Sequence, residues 1–162
     1  MINTKKCKDR RQLRFENVQQ ALSEAEALAL SEREGKLRAG GNWKLGQTLG
    51  HLAFWANAPF DGYPEMQRPL WFIRVLIPLF KKRFFHSGMP AGIRIPGTAE
   101  GTFGLAAMDT EQGLAQLRRA LERLAVQAPA RPHPLLGKVS HDDWINLSLR
   151  HAELHLSFFH PC

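Results

Sequence analysis

Two histidines four residues apart, His151 and His155, stand on a C-terminal run that reads from Trp144 to Phe158 without glycine or proline. On a helix turning about 100° per residue, Trp144, Leu147, Ser148, His151, Leu154, His155 and Phe158 share one stripe. The two imidazoles then stand about 5–6 Å apart at Cβ on the same face. Asn146, Arg150 and Glu153 occupy the back, so the histidine face is the one expected to be buried and Glu153 is expected to be solvated. An imidazole buried without a partner costs about 1–3 kcal/mol. Two readings follow. Either each histidine is satisfied by a carbonyl or hydroxyl on a neighbouring helix, or the pair converges on one metal ion, for which the H-x-x-x-H spacing is suited. A metal would need a third ligand from elsewhere in the chain.

The elements that must position these residues are helical. From about Asp9 to Leu30, Phe15, Val18, Leu22, Ala25 and Ala29 recur at helical spacing, and Gly35 and Gly40-Gly41 end the run. Asn42 is placed to cap a second helix, on which Leu45, Leu49, Leu52, Ala53 and Ala56 form a stripe. His51 lies about 140° from the centre of that stripe, beside Phe54, Trp55 and Ala58. It faces either a pocket or the surface beside Gln47. Pro59 and Asp61-Gly62 end this helix. Asp109-Thr110-Glu111-Gln112 reads as the N-terminus of a third helix, with Leu114, Leu117, Leu121, Leu124 and Ala128 on one face. Ser140-His141-Asp142-Asp143 is a capping box that opens the fourth, with acids where the helix dipole favours them. His86 and His133 fall in loops and are expected to be ordinary titrating surface histidines, while His141 and His160 are peripheral. The sequence names no general base.

Between the second and third helices, about residues 64–103 form an insert. Its segment 69–85 is apolar but is interrupted by Arg74 and Pro78 and followed by Lys81-Lys82-Arg83. It is too short and too broken to span a bilayer. A helix covering the mouth of the bundle is the preferred reading, and peripheral contact with an anionic membrane is the alternative. The whole chain, 162 residues with 44% apolar and 23% charged side chains, has the balance of one globular domain, 1–162. The expected fold is all-α, an up-down-type four-helix bundle. A formal charge of +7 admits nucleic acid, a membrane surface or an anionic substrate. The basic residues do not line one face and are not interleaved with aromatics, which argues against a specific nucleic-acid partner. No apolar run follows the basic N-terminus as a secretory leader requires. Cys7 and Cys162 form no C-x-x-C pair, which fits a reducing cytoplasm. Apolar helix faces leave room for a homodimer.

Trp43 and Gly46-Gln47-Thr48-Leu49-Gly50-His51-Leu52 on the second helix, taken with His151-x-x-x-His155 on the fourth, resemble the DinB-like superfamily of metal-binding four-helix bundles. The loop from Gly88 to Pro96 and the Ser140-x-x-Asp143-Trp144 helix start resemble a branch of unknown function within it. The resemblance runs from about residue 12 to 161. It implies three histidine ligands, His51, His151 and His155, around one divalent ion, zinc or nickel by the preferences of imidazole. It also implies a small-molecule substrate, a low-molecular-weight thiol in the enzymes of the superfamily, with transfer or hydrolysis as the reaction. Trp55 and Arg94 are the expected substrate contacts. The alternative is a binding protein whose metal site is structural or unfilled.

Overall fold

The computed structural model describes residues 4–65, 85–98 and 100–162. Its regular elements are α1 (Val18–Arg33), β1 (Leu37–Ala39), α2 (Leu45–Asp61), α3 (Thr110–Val126), α4 (His141–Leu156) and β2 (Phe159–Pro161). Four helices thus stand where apolar periodicity predicts them, with a small sheet that periodicity does not predict.

The helix starts show which local signals were strong. Asp109 accepts a hydrogen bond from the backbone N–H of Gln112 at 2.8 Å, and Ser140 one from Asp143 at 3.2 Å, as their capping sequences predict. The first helix begins later than its apolar spacing suggests. Asn17 caps it through the backbone N–H of Gln20, and the preceding residues are not helical. Their backbone groups are engaged elsewhere: Arg11 N–H donates to the Ser157 carbonyl at 2.9 Å, and Phe15 N–H to a Glu153 carboxylate oxygen at 2.6 Å. A segment pinned to α4 at two points cannot also close helical bonds. α1 ends with Gly35 at φ 70°, its N–H bonded to the Glu32 carbonyl and that of Lys36 to Ser31. This paired closure requires a left-handed residue, which glycine supplies. α2 starts at Leu45 rather than after Asn42, and Lys44 caps it without a side-chain bond.

Leu22, Leu28, Leu45, Leu49, Leu117, Leu121, Leu149 and Leu156 form the centre of one buried cluster drawn from all four helices. The most extensive helix pair is α2 with α3. Two glycines explain how close they come. A Cβ on Gly46 would lie 2.4 Å from the Met108 carbonyl oxygen, and one on Gly113 2.6 Å from the Gly46 carbonyl oxygen. β1 and β2 pair antiparallel with Ala39 opposite Phe159, joining the chain after α1 to the chain after α4.

On α4 the expected orientation is corrected. The face that enters the core carries Ile145, Leu149, Ala152 and Leu156, about 110° round the helix from the histidines. The stripe from Trp144 to Phe158 instead faces a cavity. The back of the helix is not solvated either. Arg150 and Glu153 are 2% and 8% exposed, and they pair at 2.9 Å. Three buried faces are possible because the N-terminal segment covers the side that sequence reasoning assigned to water.

Apart from Phe85, which is buried, the 69–85 segment lies outside the described residues. Its expected covering or membrane-contacting role therefore falls outside them too. Among the described residues no helix is long and apolar enough to cross a membrane.

Candidate metal centre

α2 brings His51 to the middle of the molecule, where it is 2% exposed, and so it is not a surface residue beside Gln47. α4 brings His151 and His155 to meet it. One ring nitrogen from each of the three lies within 4.8 Å of the others. The rings are arranged edge to face, with centroids 4.7–5.0 Å apart and interplanar angles of 69–76°. His51 Nε2 and His151 Nε2 are 3.3 Å apart. Two imidazoles on one zinc, each at about 2.0–2.1 Å and at a tetrahedral angle, would be separated by about 3.3 Å. The spacing of this pair therefore fits a shared ion, and a single shared proton would also satisfy it.

The tautomer of His51 follows from its surroundings. Its Nδ1 is 2.9 Å from the Phe103 carbonyl oxygen, an acceptor, so Nδ1 carries the proton and Nε2 presents a lone pair to the other histidines. A backbone partner behind a ligand is the arrangement that orients imidazoles in metal sites. The loop bearing Phe103 is itself held, because Gln47 Nε2 donates to the Leu105 carbonyl at 2.9 Å. Gly104, at φ 75°, lets that loop pass Phe54, whose Cβ would be 2.7 Å from any added side chain. Gln47 and His51 are one turn apart on the same helix, so α2 both supplies a ligand and fixes the loop that orients it.

Burial lowers the pKa of all three histidines. His51 falls to about 4. His151 and His155 fall well below the ordinary value through burial first and mutual repulsion second. At neutral pH the three are uncharged, which is the ligating form. Trp43 lies parallel to His155 at 5.0 Å and tilted against His51 at the same distance. A cavity of about 1900 Å³ opens past the three imidazoles. Its wall includes Trp43, Trp55, Trp144, Phe158 and, towards its rim, Arg94. What this arrangement can do chemically is hold one divalent ion by three neutral nitrogens, with an approach from the cavity.

A family model matches residues 7–162, nearly the whole chain, and its description is a protein of unknown function, DUF1569. The chain belongs to the DUF1569 family. It matches no curated protein and no solved structure. The motif residues of α2 have identifiable roles in this DUF1569 chain. Trp43 stacks on a histidine, Gly46 admits α3, Gln47 anchors a loop and His51 joins the histidine group.

The remaining histidines divide. His86 is exposed, and His141 reaches the Leu124 carbonyl at 2.6 Å. His133 departs from expectation: it is not an ordinary surface histidine. It lines the cavity between Tyr63 and Trp144, and burial pushes its pKa down to about 4. Its loop position in sequence concealed this, because the covering rings come from α4 and from the chain after α2. The Phe103 carbonyl was equally hidden, since a backbone acceptor leaves no mark in residue type.

Proposed function

We propose that this chain is a divalent-metal protein of the DinB-like type, an up-down four-helix bundle in which His51, His151 and His155 hold zinc or nickel for reaction with a small molecule. The observation that carries the reading is the convergence of three neutral imidazole nitrogens within 4.8 Å at the wall of a large cavity. Core histidines that only satisfy one another would not need that opening. Three nitrogen ligands leave a coordination position for substrate, the pattern of catalytic rather than structural zinc. When bound, such an ion supplies Lewis acidity and lowers the pKa of a thiol or water brought to it, which makes thiol transfer or hydrolysis the reaction class.

The chain's own residues do the rest. The Phe103 carbonyl fixes the proton of His51 on Nδ1 and so keeps Nε2 available. Trp43 stacks on His155 and lines the cavity beside the group. Trp55 and Arg94 stand on the cavity wall as the surfaces against which a substrate would be oriented, by stacking and by charge respectively.

Metal content by mass spectrometry on tag-free protein tests this, with wild type beside His155→Ala. Near-stoichiometric zinc or nickel in the wild type and none in the variant is the expected result. A second readout is tryptophan fluorescence, which added nickel should quench through Trp43 in the wild type alone. Metal-free wild type that neither takes up zinc nor is quenched by nickel would make the three histidines a polar core cluster and end the proposal.

A further inference from the structure

At the far end of the same cavity, Tyr63 and His133 form a second polar group. Their rings lie 6.3 Å apart at 64°, and His133 packs on Trp144 at 5.5 Å. Trp144 precedes His151 by seven residues on the same helical stripe, so this group is about 10 Å along α4 from His151, the nearer of the two α4 histidines.

The protonation of His133 is determined by its own turn. The backbone N–H groups of Leu135 and Leu136 both donate to His133 Nδ1, at 3.1 Å each. A nitrogen that accepts twice holds no proton, so the neutral ring carries it on Nε2. The turn that enforces this is closed by two bonds of 2.9 Å between the backbones of His133 and Gly137, with Gly137 at φ 70°. Nε2–H is therefore the ring's donor, on a residue that lines the cavity, and it forms no hydrogen bond among the described residues.

Tyr63 is in the same condition. Its hydroxyl is buried without a hydrogen-bond partner, although Tyr63 lines the cavity. A buried hydroxyl left unbonded is a cost to the fold that a bound acceptor would remove. Beside it stands Arg131, whose Nη1 packs on the Gly62 backbone and whose charge acts on the Tyr63 hydroxyl. Among the described residues no carboxylate pairs with Arg131, and Asp61, close by in sequence, is paired with Arg123 at 2.8 Å. Two unanswered donors and a cation, with no acceptor among them, are complementary to an oxyanion. The cavity between them and the histidines is walled largely by aromatic and aliphatic side chains.

We infer that Tyr63 and His133, backed by Arg131, form a docking subsite for the carboxylate of an organic acid with an apolar body. That the opposite end of such a molecule meets a metal about 10 Å away rests on the function proposed above. The carboxylate subsite itself does not need the metal.

The test uses metal-free full-length protein and two probes of the same shape, hexanoate and hexanamide, titrated by calorimetry at pH 7. Hexanoate should bind at least tenfold more tightly than hexanamide. Tyr63→Phe and Arg131→Gln should each reduce that preference several-fold, and the double variant should abolish it. His133→Asn keeps an acceptor for the turn while removing the Nε2 donor, so it should weaken hexanoate without unfolding the turn. Equal affinity for the two probes, binding of neither, or a preference that survives in the double variant would overturn the inference. Zinc uptake measured on the same wild-type sample separates the two ideas. Uptake without a hexanoate preference removes the subsite alone, and a preference without uptake removes the metal centre alone.

Discussion

α4 buries polar side chains on two of its faces and treats them in opposite ways. On one face His151 and His155 meet His51, all three neutral, with one ring nitrogen of each within 4.8 Å of the others beside a cavity. On another, Arg150 and Glu153 form a buried ion pair that also bonds the backbone of Phe15, whose N–H donates to Glu153 and whose carbonyl accepts from Arg150 Nη2, while Arg150 Nε and Nη1 are buried without a partner. The ion pair pins the N-terminal segment to the bundle through the Phe15 backbone. The histidines contact one another and the Phe103 carbonyl and open on the cavity. The first arrangement clamps one segment to another, and the second places neutral imidazole nitrogens where a ligand has access.

Substitution on either face of α4 should separate the two roles. His151→Ala should lower zinc affinity by roughly 100- to 1000-fold, one ligand's share of a zinc binding free energy of about 10–16 kcal/mol. Competition with a chromophoric chelator measures it, and urea unfolding of the metal-free variant should move little by comparison. Glu153→Ala should do the reverse. It leaves Arg150 charged and buried, a loss of about 3–5 kcal/mol in urea unfolding, whereas Arg150→Met with Glu153→Leu should recover much of that. If Glu153→Ala unfolds no more easily than wild type, the ion pair is not the clamp described here.

Acid should sharpen the difference. His51 and His133 have folded pKa values near 4 against about 6.5 unfolded, because burial disfavours their charged forms. Between those values the unfolded state binds more protons, so metal-free protein loses stability as the pH falls from about 6.5 to about 4. Each contributes about 1.4 kcal/mol per pH unit in that window. Urea unfolding from pH 4.5 to 7 should show the slope, and His133→Asn should reduce it by one proton. The smallest effect belongs to Gln47→Leu, which frees the loop carrying the Phe103 carbonyl. Zinc affinity should fall about tenfold, the low end for residues behind a ligand, with the helix content unchanged.

The helices were legible because their signals are local. Apolar stripes such as Leu45, Leu49, Leu52 and Ala53, and caps such as Asp109 and Ser140, act within a turn or two of themselves. The short strands were not, since Leu37–Ala39 and Phe159–Pro161 pair only across most of the chain length. Nor was the true core face of α4. Its stripes are both apolar enough to be buried, and the larger residues, Trp144, Leu154 and Phe158, line the cavity rather than the centre.

The sequence by itself determined that four helices form, and the H-x-x-x-H spacing alone put His151 and His155 on one face. The motif around His51 marked it as their companion by resemblance. Tertiary structure alone decided that His51 points inward, that the Phe103 carbonyl selects its tautomer and that His133 is a neutral donor rather than a surface titrant. Those outcomes depend on backbone groups and on rings from distant elements. Residue type and spacing along one helix do not specify where another segment's carbonyl will lie.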